Sequence, residues 1–209
     1  MTAPPKAVVM DIGNVLFNWD PAAFFDGAIG PDRRRALFGA VDLQAMNAAI
    51  DLGAPFAETV RATARANPGW EREIMLWHDH WPDMAVPAIA QSRHLFQCLR
   101  ARGVAVFALS NFGAEPFELA ASTLYPFLRD FDRTYISGTL GLAKPDPAIY
   151  RLVEKDSGIA PADLLFTDDR PENVEAANTR GWRTHLFREP QGWAARLIAE
   201  GLLTQEDAA

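Results

Sequence analysis

The sequence predicts an α/β fold: a Rossmann-like parallel sheet core flanked by helices, into which an all-α helical-bundle cap is inserted. Short apolar runs stop abruptly at polar residues, as buried parallel strands do where they enter a loop. After residue 87 these runs alternate with segments of helical periodicity, which is typical of a sheet covered by helices on both faces. Residues 18–82 show helical spacing alone. We therefore expect a core formed by residues 1–17 and 83–209, and a cap formed by residues 18–82.

The first strand is predicted at residues 6–10, where the run Ala-Val-Val-Met ends in Asp11. The cap is expected to contain four or five short helices, because its groups of apolar residues are separated by helix breakers. These breakers are Pro21, Gly30-Pro31, Gly53 and Pro68-Gly69.

The second half of the chain is predicted to alternate between strands and helices. Each expected strand is a short run rich in apolar or β-branched residues, and several of the expected helices begin at a proline. The strands are expected at residues 104–109, 133–137, 164–166 and 184–187. The helices are expected at residues 88–101, 116–124, 147–156, 171–180 and 192–200.

Composition and charge limit the classes of protein to consider. The chain has 209 residues and a single cysteine, Cys98, so an intrachain disulfide framework is excluded. Its apolar stretches fall short of the ~18 residues that span a bilayer. The net charge of −7 argues against nucleic acid or an anionic membrane as the main partner. We expect a cytoplasmic protein, monomeric or homodimeric, that binds a small molecule.

Polar side chains follow the predicted strands at the edge of the sheet where parallel folds bind their ligands. They comprise three aspartates, a Ser-Asn pair and a loop lysine, namely Asp11, Ser110, Asn111, Lys144, Asp168 and Asp169. Carboxylate oxygens are ligands that Mg²⁺ prefers. A carboxylate can also attack phosphorus, while a lysine and hydrogen-bond donors neutralise the phosphoryl oxygens. The set therefore predicts phosphoryl transfer.

Four segments of the chain carry a resemblance to a known family. They are Asp11-Ile-Gly-Asn-Val15, Leu109-Ser110-Asn111, Lys144-Pro145-Asp146 and Asp168-Asp169-Arg-Pro-Glu-Asn173. In this order, and over essentially the whole chain, they resemble the four motifs of the haloacid dehalogenase superfamily. The Asp-x-Gly-Asn-Val form is similar to a sugar-phosphatase-like subgroup in the phosphatase-like branch, whose members carry a helical C1-type cap.

The resemblance implies a magnesium site formed by the first and fourth motifs. Asp11 would be both the nucleophile and a Mg²⁺ ligand, and the backbone carbonyl of Gly13 would be a second ligand. Asp169 would bind Mg²⁺ directly, and Asp168 would bind it directly or through water. Asn173 would brace this loop.

The second and third motifs would supply the phosphate site. By the resemblance, Ser110 and Asn111 bind the transferring phosphoryl group, and Lys144 holds both the phosphate and the nucleophile. The expected function is that of a Mg²⁺-dependent phosphohydrolase. Its substrate would be a small, sugar-phosphate-like metabolite, hydrolysed through an aspartyl-phosphate intermediate at Asp11.

One position departs from the pattern of most phosphatases in the superfamily. They carry a second aspartate two residues after the nucleophile as general acid and base, and this chain has Gly13 there. General acid–base catalysis contributes roughly 10²–10⁴-fold, so the leaving group must be good or the proton must come from elsewhere. Asp20 is one candidate donor, and it equally fits a helix N-cap followed by Pro21.

Two alternative functions stay open. In a 2-haloacid dehalogenase the aspartate attacks carbon without a metal. The fourth motif of such enzymes, however, is similar to Ser-Ser rather than to the Asp-Asp of this chain. A non-catalytic protein that binds a phosphometabolite is suggested by Gly13. Trp77 and Trp81 lie on one helix face, where they either pack the cap against the core or form an aromatic wall for the substrate.

Overall fold

The structure, a computed structural model, describes residues 3–208. Its strands are β1 (Ala7–Met10), β2 (Ala105–Ser110), β3 (Arg133–Ile136), β4 (Leu164–Asp168) and β5 (Arg183–Leu186). Within residues 3–208 they form one five-stranded sheet with the order β3-β2-β1-β4-β5, and every pairing is parallel. The predicted α/β class with a parallel sheet flanked by helices is confirmed.

β1 lies at the centre of the sheet and is buried on both of its faces. All four of its residues are fully inaccessible to solvent. Val8 and Met10 pack into the larger apolar core, while Ala7 and Val9 pack into the smaller core on the other face. Because successive side chains of a strand point to opposite faces, a strand covered on both sides needs a continuous apolar run.

The first six helices after β1 form the inserted segment. They are α1 (Pro21–Ile29), α2 (Pro31–Ala40), α3 (Leu43–Asp51), α4 (Phe56–Ala66), α5 (Glu71–Asp79) and the short α6 (Trp81–Met84). The prediction of short helices separated by breakers is confirmed here, although the division into core and cap at residues 18 and 82 stays a prediction. No helix in the described part of the chain combines the length and the apolar character needed to cross a membrane.

The remaining helices lie before, between and after the later strands, and all of them except the short α9 correspond to helices that the sequence predicts. They are α7 (Ala90–Ala101), α8 (Ala114–Leu119), α9 (Ser137–Leu140), α10 (Pro147–Ser157), α11 (Pro171–Thr179) and α12 (Pro190–Ala199).

The chain is helical throughout the predicted range 116–124, but the second half of this range is not α-helical. The α-helical part ends at Leu119, and a π-helical turn covers Ala120–Leu124. The hydroxyl of Ser122 donates to the Glu118 carbonyl at 2.7 Å, and that of Thr123 donates to the Leu119 carbonyl at 2.6 Å. Serine and threonine side chains compete in this way for the carbonyls of the preceding turn, which loosens the regular helix.

Three glycines allow the end of α3 to approach the loop after β2 closely. A Cβ atom on Gly113 would lie 2.5 Å from Ile50 Cγ2, and one on Gly138 would lie 2.5 Å from the Ala114 nitrogen. A Cβ atom on Gly53 would lie 2.9 Å from the Gly138 carbonyl oxygen. We call this packing of Gly53, Gly113 and Gly138 the glycine contact. It joins the inserted segment to the sheet beside the cleft described next.

Candidate active site

The carboxyl ends of β1, β2 and β4 meet beside the point where the strand order reverses. Asp11 directly follows β1, Ser110 ends β2 and Asp168 ends β4. The loop before α10 brings Lys144 to the same place. Asp11, Ser110 and Lys144 line a cleft of about 1210 Å³, which residues of the inserted segment also line. Parallel α/β folds bind ligands at this reversal of strand order.

Lys144 is buried among the acidic groups at the base of the cleft. Its Nζ lies 2.6 Å from Asp168 Oδ2 and 3.0 Å from Asp11 Oδ1, and it donates to the Leu109 carbonyl at 2.7 Å. Burial lowers the pKa of Lys144, but the two carboxylates outweigh that effect and raise it overall. The ammonium group therefore remains charged and holds both carboxylates.

The contacts of Asp11 leave one of its carboxylate oxygens free. Oδ1 accepts hydrogen bonds from Ser110 Oγ at 2.8 Å and from the Ile12 backbone N–H at 2.7 Å, and it contacts Lys144. Among residues 3–208, Oδ2 accepts none. Burial raises the pKa of Asp11 to about 7, with Lys144 opposing this shift and Asp168 adding to it. The carboxylate is therefore held in one orientation with an unengaged oxygen.

Asp168 is fully buried, and both of its oxygens are engaged. Oδ1 accepts from the Arg170 backbone N–H at 2.8 Å, and Oδ2 accepts from Lys144. Asn173 Nδ2 lies 3.0 Å and 3.1 Å from the two oxygens. The predicted bracing role of Asn173 thus corresponds to a direct contact with Asp168. These contacts hold Asp168 in place as a second carboxylate partner of Lys144, besides Asp11.

Asn14 also belongs to the site, although it is not among the residues predicted for it. Its Nδ2 donates to Asp169 Oδ2 at 3.1 Å, and its Oδ1 accepts from the Trp19 backbone N–H at 2.9 Å. Its backbone has a φ of 56°, a left-handed conformation that asparagine tolerates better than most residues. The sequence signal that could have identified this residue was an asparagine directly after the Asp-x-Gly segment. Asn14 ties the first motif to the fourth across 155 residues.

The acidic groups form a cluster suited to a hard cation. Asp11, Asp168 and Asp169 each offer a carboxylate oxygen, and these three oxygens lie within 4.8 Å of one another. The Gly13 carbonyl accepts no hydrogen bond from residues 3–208. Burial is the main cause of the raised pKa of Asp169, and the charge of Asp168 adds to it. Closely spaced, partly dehydrated carboxylates repel each other, and a divalent cation relieves that repulsion.

Asn111 and Gly13 both line the cleft, and each carries a backbone N–H that is unpaired among residues 3–208. The side chain of Asn111 is engaged elsewhere, because its Nδ2 donates to the Lys144 carbonyl at 2.8 Å and its Oδ1 accepts from the Lys144 N–H at 2.8 Å. Within the described chain, the backbone N–H groups of Asn111 and Gly13 have no protein acceptor. Asn111 therefore positions Lys144 through its side chain, which leaves its backbone N–H for an anion.

Asp20 serves as the N-cap of α1. Its Oδ1 accepts a hydrogen bond from the Ala23 N–H at 2.9 Å, and Pro21 occupies the first helical position. The side chain is exposed, and it also lines the cleft. The helix-cap alternative for Asp20 is confirmed, while its role as a proton donor stays a prediction.

Both predicted tryptophans pack into the core and line the cleft. Trp77 and Trp81 are 5% and 3% exposed, and the ring of Trp19 lies against both at centroid distances of 5.9 Å and 5.5 Å. All three residues line the cleft. Packing and an aromatic wall are therefore not exclusive alternatives here. The indole Nε1 of Trp77 is buried without an acceptor among the residues that the structure describes.

Replacing Asn14 with Ala is expected to lower the free energy of unfolding by about 1–2 kcal/mol. The change removes two hydrogen bonds and leaves a β-carbon in a left-handed conformation without a compensating local contact. Asn14→Gly is the matched control, because glycine adopts this conformation freely but also lacks the amide. Asn14→Gly should therefore recover only the part of the lost stability that comes from the left-handed backbone. Urea unfolding measures both variants, and wild-type stability in Asn14→Ala would contradict the expectation.

A family model describing haloacid dehalogenase-like hydrolases matches residues 5–179 of the chain. The chain belongs to this family. The match includes all four motifs and most of the sheet. This haloacid dehalogenase-like hydrolase is thus an enzyme of the class that the sequence predicts.

Two curated relatives match most of this hydrolase. The sesquiterpene phosphatase of Aspergillus oryzae is 29% identical over 84% of the chain and 86% of its own length. The drimenol cyclase of Aspergillus calidoustus is 27% identical over 88% of the chain. The chain spans only 34% of the length of that cyclase.

Solved structures share the fold of this hydrolase. A haloacid dehalogenase family enzyme from Bacteroides thetaiotaomicron has a TM-score of 0.73 at 23% identity, covering 93% of this chain and 98% of that one. The same enzyme in complex with magnesium and inorganic phosphate has a TM-score of 0.65 at 25% identity, covering 88% of this chain and 94% of that one.

Proposed function

We propose that this chain is a Mg²⁺-dependent phosphohydrolase that acts on a small phosphorylated metabolite through an aspartyl phosphate at Asp11. The observation that carries the proposal is the asymmetric environment of the Asp11 carboxylate. Ser110, Lys144 and the Ile12 N–H all bind Oδ1, and Oδ2 is left without a donor among residues 3–208. A nucleophile needs this arrangement, in which one oxygen is held and the other is available.

The residues around Asp11 are placed to stabilise a phosphoryl group under attack. The Lys144 ammonium lies 3.0 Å from Asp11 Oδ1, where it would also neutralise charge on the phosphoryl oxygens. The free N–H groups of Gly13 and Asn111 would donate to those oxygens. Such donors are fixed by the fold before the substrate binds, so little reorganisation is needed in the transition state.

The carboxylate cluster supports the assignment of Mg²⁺. Asp11, Asp169 and the Gly13 carbonyl would hold the ion, with Asp168 contributing directly or through water. When bound, the ion would neutralise phosphate charge and fix the orientation of the phosphoryl group. The engagement of both Asp168 oxygens favours contact through water. The magnesium and phosphate bound by the Bacteroides thetaiotaomicron enzyme support the same assignment.

Hydrolysis would proceed in two displacements at phosphorus. Asp11 attacks first, expelling the leaving group and forming the aspartyl phosphate. Water then attacks phosphorus, which releases inorganic phosphate and restores the carboxylate. Dividing the reaction in this way replaces one difficult step by two easier ones.

The lining of the cleft supports a small leaving group with hydroxyl groups, of the sugar-phosphate type. Polar side chains of α3, among them Gln44 and Asn47, line the same cleft of about 1210 Å³ as the aromatic residues. These polar side chains would offer hydrogen-bond partners to the hydroxyl groups of such a leaving group. A cleft that combines apolar walls with a few polar groups is typical of small-molecule sites.

The experiment is a measurement of phosphate release from a panel of metabolite phosphates with Mg²⁺ and, in parallel, with EDTA. We expect turnover of at least one small phosphate ester that stops when the metal is removed. Chloride release from a 2-haloacid in the presence of EDTA would instead establish the dehalogenase alternative. Phosphate binding without turnover of any ester would establish a non-catalytic binding protein.

Mg²⁺ is expected to raise the Tm of the wild-type protein by about 5–10 °C at 100 times its Kd, since binding adds about 2.7 kcal/mol of stability. Asp169→Asn should lose most of this shift because it removes a charged ligand from the cluster. Asp20→Asn is the control and should keep the shift, since Asp20 caps α1. A full shift in Asp169→Asn would contradict its assignment as a ligand. Differential scanning fluorimetry provides the measurement.

A further inference from the structure

The leaving group of a phosphate ester needs a proton that the first motif does not supply. An alkoxide is a poor leaving group, and Gly13 occupies the place where most related phosphatases carry an acid. Aspartates outside the carboxylate cluster also line the cleft, and these are Asp20, Asp42 and Asp51. They are the candidate donors.

Asp20 and Asp42 are exposed, and each has a structural task. Asp20 Oδ1 accepts the Ala23 N–H at 2.9 Å and caps α1. Asp42 Oδ1 accepts the Ala45 N–H at 2.8 Å and caps α3. In both cases the carboxylate accepts from a backbone N–H at the start of a helix, and the side chain is open to solvent.

Asp51, the last residue of α3, has a different environment. Its side chain is half-buried, and Oδ2 accepts a hydrogen bond from Asn47 Nδ2 at 2.9 Å. Burial raises the pKa of Asp51 to about 7, and the Gly113 backbone N–H offsets part of this effect. Asn47 and Gly113 are uncharged, so neither supplies the cation that would hold Asp51 ionised. General acids work best with a pKa near the working pH.

The position of Asp51 is fixed relative to the phosphate-binding loop. The hydroxyl of Ser137 donates to the Asp51 carbonyl and accepts the Phe112 N–H at 2.9 Å. Phe112 follows the Ser110-Asn111 pair directly, and the glycine contact packs the same two segments together. The Asp51 carboxyl group and the phosphate site therefore line the same cleft, and the segments that carry them are packed together.

We propose that the Asp51 carboxyl group is the general acid that protonates the leaving-group oxygen, in place of the acid missing at Gly13. This inference rests on the proposed phosphohydrolase function. In the first step the Asp11–phosphorus bond forms, the bond from phosphorus to the leaving oxygen breaks, and the Asp51 proton passes to that oxygen to give the alcohol. In the second step the Asp51 carboxylate takes a proton from the attacking water as the aspartyl phosphate is hydrolysed.

The test compares two esters of similar size that differ in their need for a proton. The leaving group of 4-nitrophenyl phosphate departs without protonation, whereas that of benzyl phosphate needs it. In Asp51→Asn we expect kcat/KM for benzyl phosphate to fall about 10²–10⁴-fold, with little change for 4-nitrophenyl phosphate. Asp51→Glu keeps a carboxyl group and should recover part of the activity toward benzyl phosphate. Asp42→Asn is the matched control on the same helix.

Each outcome of this test decides the question. A selective loss for benzyl phosphate in Asp51→Asn, absent in Asp42→Asn, supports the assignment. An equal loss for both esters would show that Asp51 serves binding or structure, and no loss for either would show that it is dispensable. Both of these results overturn the inference while leaving the phosphohydrolase function intact. If the wild type hydrolyses neither these two esters nor any ester of the metabolite panel, that function and the inference fall together.

Discussion

Asp11→Asn is expected to lower kcat for phosphate release by about 10⁴-fold or more, because it removes the nucleophile on which both displacements depend. The amide keeps the shape of the side chain, and its oxygen can still accept from Ser110, Lys144 and the Ile12 N–H. Its nitrogen cannot attack phosphorus as a carboxylate does. Measurement of initial rates with Mg²⁺ and the best ester of the panel gives the comparison.

The folded state of Asp11→Asn should be at least as stable as that of the wild type. Burial disfavours the ionised form of this aspartate, as its raised pKa of about 7 indicates, so a neutral amide avoids that cost. Loss of activity without loss of stability would separate a chemical role from a structural one. Full activity in Asp11→Asn would contradict the proposed mechanism.

Lys144→Met is expected to lower the free energy of unfolding by about 3–5 kcal/mol in the absence of divalent metal. Lys144 is the cation between Asp11 and Asp168, both of which are buried. Removing one partner of a buried ion pair leaves an uncompensated charge in a poorly solvated place. Urea unfolding in EDTA measures the loss, and a loss below about 1 kcal/mol would contradict the role assigned to this ammonium group.

A double variant tests the origin of that loss. Asp168→Asn alone should also destabilise the protein, because it removes the fully buried negative charge that lies 2.6 Å from Lys144 Nζ. In combination with Lys144→Met it should cost less than the sum of the two single changes, since one unpaired charge is removed. Additive losses would instead indicate that packing, rather than charge, accounts for the effect of Lys144→Met.

Much of the fold was predictable because its signals are local. The continuous apolar run of β1 follows from burial on both faces, and its end at Asp11 marks where the chain enters the cleft. The strand ends that supply Ser110 and Asp168 follow the same rule. Because parallel strands present their carboxyl ends at one edge, residues far apart in sequence could be placed together before their contacts were known.

The contacts that the sequence did not reveal depend on precise long-range geometry. The side chain of Asn111 bonds to the Lys144 backbone, and that of Asn14 bonds to Asp169. These amide groups would also suit direct contact with a phosphate, but here they orient the other residues of the site. No sequence pattern pointed to Asp51, because its environment is formed by Gly113 and Ser137, which lie more than 60 residues further along the chain. Periodicity predicts which face of a helix is buried, but it does not predict which polar neighbours lie there.

The glycine contact determines how the inserted segment can move. A Cβ atom on Gly113 would lie 2.5 Å from Ile50 Cγ2, and one on Gly53 would lie 2.9 Å from the Gly138 carbonyl oxygen, so the two sides of this junction have little room to slide. Any widening of the cleft would therefore have to occur away from this junction. We expect Asp51, two residues before Gly53, to stay close to the loop that follows Ser110. The walls of the cleft that lie further from the junction would then be free to adapt to leaving groups of different shape.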